Sequence, residues 1–139
     1  MEEKMNIELL KYIKEMNLND KTDIQTVETA EKKLGIAFPD DYKDFILEHN
    51  GAEGAIGENA YLVIWSMDDI AMLNEEYGVS DFTPELVYFG SDGGEMAYAF
   101  DKRTSPFSIV EFPFEALDVS EASLISDSFD GFLNALYIK

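Results

Sequence analysis

Apolar residues recur every three to four positions at the start of the chain. Met5, Leu9, Tyr12, Ile13 and Met16 share one face of a 3.6-residue period, which predicts a helix that Asn17 to Asp20 end. A second stripe, Ile24, Val27, Ala30 and Leu34, follows Thr22 and Asp23, either of which can cap it, and Gly35 suits the residue just past its end. In AFPDDYKDFILEHNG, Pro39 fits the first turn of a third helix and Asp40 and Asp41 favour its positive end. Tyr42, Phe45, Ile46 and His49 share its buried face, and Asn50-Gly51 ends it.

The pattern then changes period. Gly51 to Asn59 is glycine-rich and polar and reads as a surface loop, whereas Tyr61 to Trp65 is β-branched and aromatic and reads as a strand. Ser66 with Asp69 resembles a capping box and predicts a helix running to Tyr77. Leu86 to Phe89 and Met96 to Phe100 are two strands around a glycine-rich turn, Gly90 to Gly94, with Met96, Tyr98 and Phe100 facing one way and Ala97 and Ala99 the other. A fourth strand, Ser108 to Phe112, stops at Pro113. Ile125, Phe129, Phe132, Leu133 and Leu136 predict a closing helix. Helices, then mostly antiparallel strands, then a helix define an α+β class with a sheet of four or more strands. Leu34, Tyr42, Phe45, Phe89, Phe129 and Phe132 are its expected core.

Length adds one bound: 139 residues suit a single domain over 1–139. The 46% hydrophobic content, with ten Phe and seven Tyr, distinguishes the chain from a disordered acidic tail. The absence of cysteine excludes disulfides, thiolate metal sites and a cysteine nucleophile, and fits a reducing cytoplasm. The N-terminus carries no export signal, and no stretch approaches the roughly 18 apolar residues of a membrane span.

Charge changes the picture most. Against 29 Asp and Glu stand 10 Lys and Arg, a formal charge of −19 that makes nucleic acid and anionic membranes poor partners. Between Lys43 and Lys102 lie thirteen acids, Asp44, Glu48, Glu53, Glu58, Asp68, Asp69, Glu75, Glu76, Asp81, Glu85, Asp92, Glu95 and Asp101, with no basic side chain among them. A solvated surface explains any single one of them; together they can attract a basic protein. Glu53, Glu58, Asp68, Asp69, Glu75, Glu76, Asp92 and Glu95 are the candidate partner-binding residues.

Candidate chemistry is sparse. His49 is the one histidine, and two residues before a helix-ending glycine it suits the negative helix end better than a triad. Asp68-Asp69 and Glu75-Glu76 are adjacent on a helix and do not face each other as a catalytic dyad must. Gly90 to Glu95 lacks the lysine of a phosphate loop, and Asp81, Asp92 and Glu95 do not fit the ligand spacing of an EF-hand, although a site made only of carboxylates stays open. Trp65 reads as a core or rim anchor. No catalytic residue, cofactor or metal is assigned.

Several blocks in order resemble the SUKH superfamily, the Smi/Knr-like domains. They are Val27 to Gly35, Phe38 to Ile46, Asn50-Gly51, Leu62 to Ser66, Phe89 to Glu95 with Tyr98, Phe100 and Asp101, and Ser128-Phe129 with Phe132-Leu133, together spanning about residues 22–137. The resemblance implies an α+β fold and protein binding without catalysis, commonly as an immunity protein that neutralises a nuclease or other toxin by direct contact. It equally includes regulators of fungal cell-wall assembly that bind host proteins. The small extent of the chain beyond the matching blocks favours the stand-alone bacterial immunity type.

Overall fold

The computed structural model describes residues 9–139. Met5 of the first apolar stripe lies outside them. Helix α1 (Leu9–Ile13) buries Leu9, Tyr12 and Ile13, but Met16, assigned to the same helical face, begins a strand, β1 (Met16–Leu18). Helix α2 (Ile24–Leu34) starts at Asp23, whose carboxylate accepts the Thr26 N–H at 2.8 Å, and ends at Gly35 in the left-handed region, φ +72°. Val27 and Ala30 are buried, while Ile24 and Leu34 sit at the rim of the stripe. Helix α3 (Asp40–Glu48) buries Tyr42, Phe45 and Ile46, with Pro39 just outside it at the cap position.

Seven antiparallel strands follow one another in chain order across the sheet. After β1 come β2 (Ala52–Ile56), β3 (Ala60–Ile64), β4 (Leu86–Ser91), β5 (Met96–Asp101), β6 (Ser108–Pro113) and β7 (Ser123–Ser126). Helices α4 (Ile70–Glu76) and α5 (Val79–Phe82) lie between β3 and β4, and α6 (Phe129–Tyr137) closes the chain. The expected loop at 51–59 is corrected: it is the hairpin of β2 and β3, with only its middle as a turn. Ala52, Gly54 and Ile56 are buried and Glu53 and Ala55 exposed, the alternation of a one-face strand that the glycines masked in the sequence. Gly54 is needed because a Cβ there would lie 2.9 Å from the Cα of Met16 on β1.

Two further expectations change. Ile125 belongs to β7, not to the closing helix, because Ser128 caps α6 by accepting the Gly131 N–H at 3.0 Å and so starts the helix after it. Ser66 and Asp69 form no capping box: the Ser66 carbonyl accepts from Asp69 and Ile70 N–H in a tight turn, and no side chain caps α4.

One face of the sheet carries α1, α2, α3 and α6. Tyr42, Phe45, Phe89, Phe100, Phe129 and Phe132 interlock there, Tyr42 meeting Phe100 edge-on at 4.9 Å and Phe129 at 5.3 Å. The expected core is found in place, with Leu34 packed at its margin. The other face is thinner. Leu86, Tyr88, Ala97, Ala99, Val110 and Phe112 are covered by Val79 and by a return segment bearing Phe114, Ala116, Val119 and Ala122. The Tyr98/Phe100 and Ala97/Ala99 alternation of β5 therefore divides the two cores as its sequence indicates.

Candidate functional site

The second face of the sheet is covered over β4 to β6 and open over β1 to β3. On β3 and just beyond it, Tyr61, Val63 and Trp65 point to that face; Glu53 lies opposite Val63 and Ala55 opposite Tyr61. Asn17 on β1 lies opposite Glu53. Asn17, Glu53, Ala55 and Tyr61 are exposed and Val63 and Trp65 half-buried, so this is a shelf of sheet in contact with solvent. Its inner edge is an aromatic wall: Trp65 and Tyr77 lie parallel with centroids 6.2 Å apart, and Tyr77 stacks on Phe114 at 4.5 Å. Tyr77 nevertheless remains 45% exposed and Tyr61 42%.

The eight candidate acids are exposed except Asp92, which is half-buried, but they do not form one patch. Glu53 is on the shelf, where its Oε2 accepts the Tyr61 hydroxyl at 2.8 Å. That carboxylate holds the Tyr61 phenol above its ordinary range. Asp92 and Glu95 flank the β4–β5 turn, whose Gly93 lies so close to the Tyr61 ring that a Cβ would come within 2.8 Å of it. Asp92 Oδ1 accepts the Gly94 and Met96 N–H groups and shapes the turn, and the Glu95 carbonyl accepts the Phe114 N–H at 2.9 Å. Glu53 thus stands on the shelf and the β4–β5 turn borders it through Gly93, while Asp92, opposite Met96 and close enough to raise the Tyr98 phenol, turns toward the helix-covered face. Glu76 ends α4, next to Tyr77 in the chain.

The other four lie elsewhere. Asp68 accepts the Asn50 amide at 3.0 Å and, with Asp69, sits in the turn before α4. Glu75 lines a cleft of about 690 Å³ between α2, α4, α5 and β4 that also contains Lys33 and Lys102. Glu58 borders a notch of about 640 Å³ with Lys11, Lys14 and Lys139. Charge alone could not separate these environments, because chain distance says nothing about which lysine folds back.

The residues that carried the family resemblance are occupied with the fold. Glu31 accepts the Phe38 N–H at 2.8 Å and faces Lys43 at 3.6 Å, tying α2 to the entry of α3. Asn50 accepts the Met67 N–H at 2.8 Å, joining the end of α3 to the segment after β3. Gly51 has φ +106° and would place a Cβ 2.9 Å from the Ile64 carbonyl. Gly90 sits where a Cβ would collide with the Val63 carbonyl. His49 caps α3 half-buried, its ring 5.6 Å from that of Phe45, in the structural place expected of it.

Asp101 and Arg103 are paired. Arg103 donates through Nε at 3.0 Å and through Nη2 at 2.9 Å, and its backbone N–H adds a third bond to the carboxylate. The guanidinium holds the Asp101 carboxyl below its usual range. The chain's sole arginine is therefore engaged locally. Among the described residues no group of three or more carboxylates and histidines is arranged to hold a metal ion.

Sequence reasoning missed the aromatic component of this face. The Tyr61-Val63-Trp65 alternation was the available signal, but the partners Tyr77 and Phe114 come from other parts of the chain. It also missed Asn74, a buried side chain on α4 whose amide donates to the Tyr88 carbonyl at 2.9 Å while its Oδ1 accepts the Tyr88 N–H at 2.9 Å. Asn74 replaces the strand neighbour that β4 lacks beyond Trp65, and anchors the helix that presents Tyr77.

The chain is thus an α+β protein with α1, α2, α3 and α6 on one face of an antiparallel meander and a half-open face bearing Tyr61, Trp65 and Tyr77 on the other. The chain belongs to the SMI1/KNR4 family (SUKH-1), whose model matches residues 21–135. Domains of this family generally bind partner proteins. The chain is also similar to YnaB, an uncharacterized protein of Bacillus subtilis strain 168, with 37% identity over 87 residues that cover 63% of this chain and 51% of that protein. It thus spans about half the length of the curated relative it matches. Among the described residues no helix is long and apolar enough to cross a membrane.

Proposed function

We propose that the protein is an immunity protein that neutralises a basic toxin domain by direct binding, without catalysis of its own. The observation that carries this reading is the composition of the surface between Lys43 and Lys102: of its thirteen acids nine are exposed, three half-buried and only Asp101 buried. A toxin that cleaves nucleic acid needs a cationic cleft, and such a cleft is attracted to and covered by an acidic surface of this kind. Family membership supports a protein partner, and the structural use of His49 supports a binding role.

The test is co-expression with the toxin encoded beside its gene. The wild type protects, His49→Ala protects equally, and a variant with Glu53, Glu58, Asp68, Asp69, Glu75, Glu76, Asp92 and Glu95 converted to amides fails to protect. Association slows by about an order of magnitude or more between low and high salt, as steered encounters do. Full protection by the eightfold amide variant would overturn the proposal.

A further inference from the structure

We infer that the open half of the second sheet face, ribbed by Tyr61, Val63 and Trp65 and bearing the Glu53 carboxylate, is a docking surface for an arginine-bearing face of a basic protein. The inference deepens the reading above, and rests on it for the partner being a protein. It singles out Glu53 from eight dispersed acids and adds the aromatic side chains that no charge pattern reveals.

Two properties of the shelf point to this occupant. The first is its unpartnered apolar content: Tyr61 and Tyr77 expose nearly half their surface, while the wall of Trp65, Tyr77 and Phe114 is held rigid by stacking. Pre-ordered aromatic rings lose little conformational freedom on binding, which makes them effective anchors. The second is charge. Glu53 holds a carboxylate against the Tyr61 ring, and Lys11, Lys14 and Lys139 lie at one end of the shelf, round the notch at the β2–β3 turn that Ala55 also lines.

Carboxylates beside flat aromatic faces select among cations. A guanidinium is planar and weakly hydrated, so it stacks on a ring and donates to a carboxylate at once. An ammonium is a compact, strongly hydrated point charge that gains less from the rings. The Tyr61 hydroxyl, fixed on Glu53 at 2.8 Å, holds carboxylate and ring side by side, the spacing that one guanidinium can bridge.

Trp65 is the chain's single tryptophan and reports the event directly. The probes are a synthetic peptide of eight Arg-Gly repeats and its Lys-Gly counterpart, titrated at low salt against the full chain while Trp65 emission and backbone amide shifts are recorded. The arginine peptide should change Trp65 emission saturably, bind several-fold more tightly than the lysine peptide, and shift most strongly the amides of Glu53, Tyr61, Val63 and Trp65. Glu53→Gln, and separately Tyr61→Ala, should weaken it about tenfold, whereas Glu28→Gln on exposed α2 should leave it unchanged. No binding, equal affinity for both peptides with shifts spread over every acidic surface, or wild-type affinity in both shelf variants would overturn the inference. The two readings fail separately. Toxin protection that survives Glu53→Gln with Tyr61→Ala removes the shelf and leaves the immunity role, whereas arginine-selective binding without protection by the wild type does the reverse.

Discussion

Asp41, in the first turn of α3, caps a helix that starts 88 residues later: its Oδ2 accepts the Phe129 N–H at 2.9 Å and the Asp130 N–H at 3.1 Å. Its Oδ1 accepts the Tyr42 N–H at 2.8 Å, so one half-buried carboxylate satisfies donors at the entries of two helices. Phe129 and Tyr42, the two rings that follow, meet edge-on at 5.3 Å in the core. The cap thereby fixes the angle at which α6 delivers its aromatic stripe.

Asp41→Ala should destabilise the protein by about 2 kcal/mol, since hydrogen bonds to charged groups contribute about 1.5–3 kcal/mol and the freed N–H groups are partly shielded from water. Urea denaturation followed by far-UV circular dichroism measures it. An unchanged midpoint would show that Ser128 alone suffices to start α6.

Tyr42 makes the opposite case. Its hydroxyl is fully buried and has no hydrogen-bond partner among the described residues, and burial pushes the phenol far above its usual range. A buried polar group without a partner costs about 1–3 kcal/mol, so Tyr42→Phe should raise the midpoint while leaving the ring contacts in place. A drop in stability would reveal a partner for the hydroxyl.

Asn74→Ala leaves the Tyr88 N–H and carbonyl without their partner on α4 and opens a small cavity. A loss of about 2–4 kcal/mol is expected from those two groups. Because α4 carries Tyr77, the near-ultraviolet signal of the aromatic wall should weaken as well. Asn74→Asp, which buries a carboxylate against the Ile70 and Tyr88 carbonyls, should cost at least as much at neutral pH. Wild-type stability in Asn74→Ala would contradict the role assigned to this amide.

Two carboxylates give stability opposite dependences on pH. Asp130 is raised above its ordinary 3.8 by burial first, then by Asp41 and Asp44. The folded protein binds a proton there more tightly than the unfolded chain, so Asp130 costs stability at neutral pH and the cost disappears as pH falls through the raised value. Asp101 is lowered from 3.8 by its hydrogen bonds with Arg103. Its contribution is complete above 3.8 and is lost as pH falls from there through the folded value. Urea midpoints should therefore rise on mild acidification and fall at lower pH. Asp130→Asn should flatten the rise and Asp101→Asn should reduce the fall. A profile identical in both variants and wild type would refute this assignment.

Local chemistry made much of the architecture readable from the chain. Asp23 and Gly35 bound α2 because a cap acceptor and a left-handed residue act within one turn, and β5 declares its two faces because side chains alternate regardless of neighbours. Tyr42, Phe45, Phe89, Phe129 and Phe132 are buried as their helical and strand periods require. The same locality hid β1, β2 and β7. Those strands are short, polar or glycine-rich, and they exist because a neighbour supplies hydrogen bonds from another part of the chain; Gly54 is a strand residue because Met16 and Leu62 pair with it from either side. The thirteen acids were legible as a count, but their grouping was not. Folding set Glu58 beside lysines at the β2–β3 turn, placed Glu75 in a cleft with Lys33 and Lys102, and left Glu53 against the Tyr61 ring. Sequence fixes charge and period, which are properties of residues and their near neighbours. Which charges share a surface, and which aromatic side chains stay uncovered beside them, depends on the long-range pairing that only the tertiary structure decides.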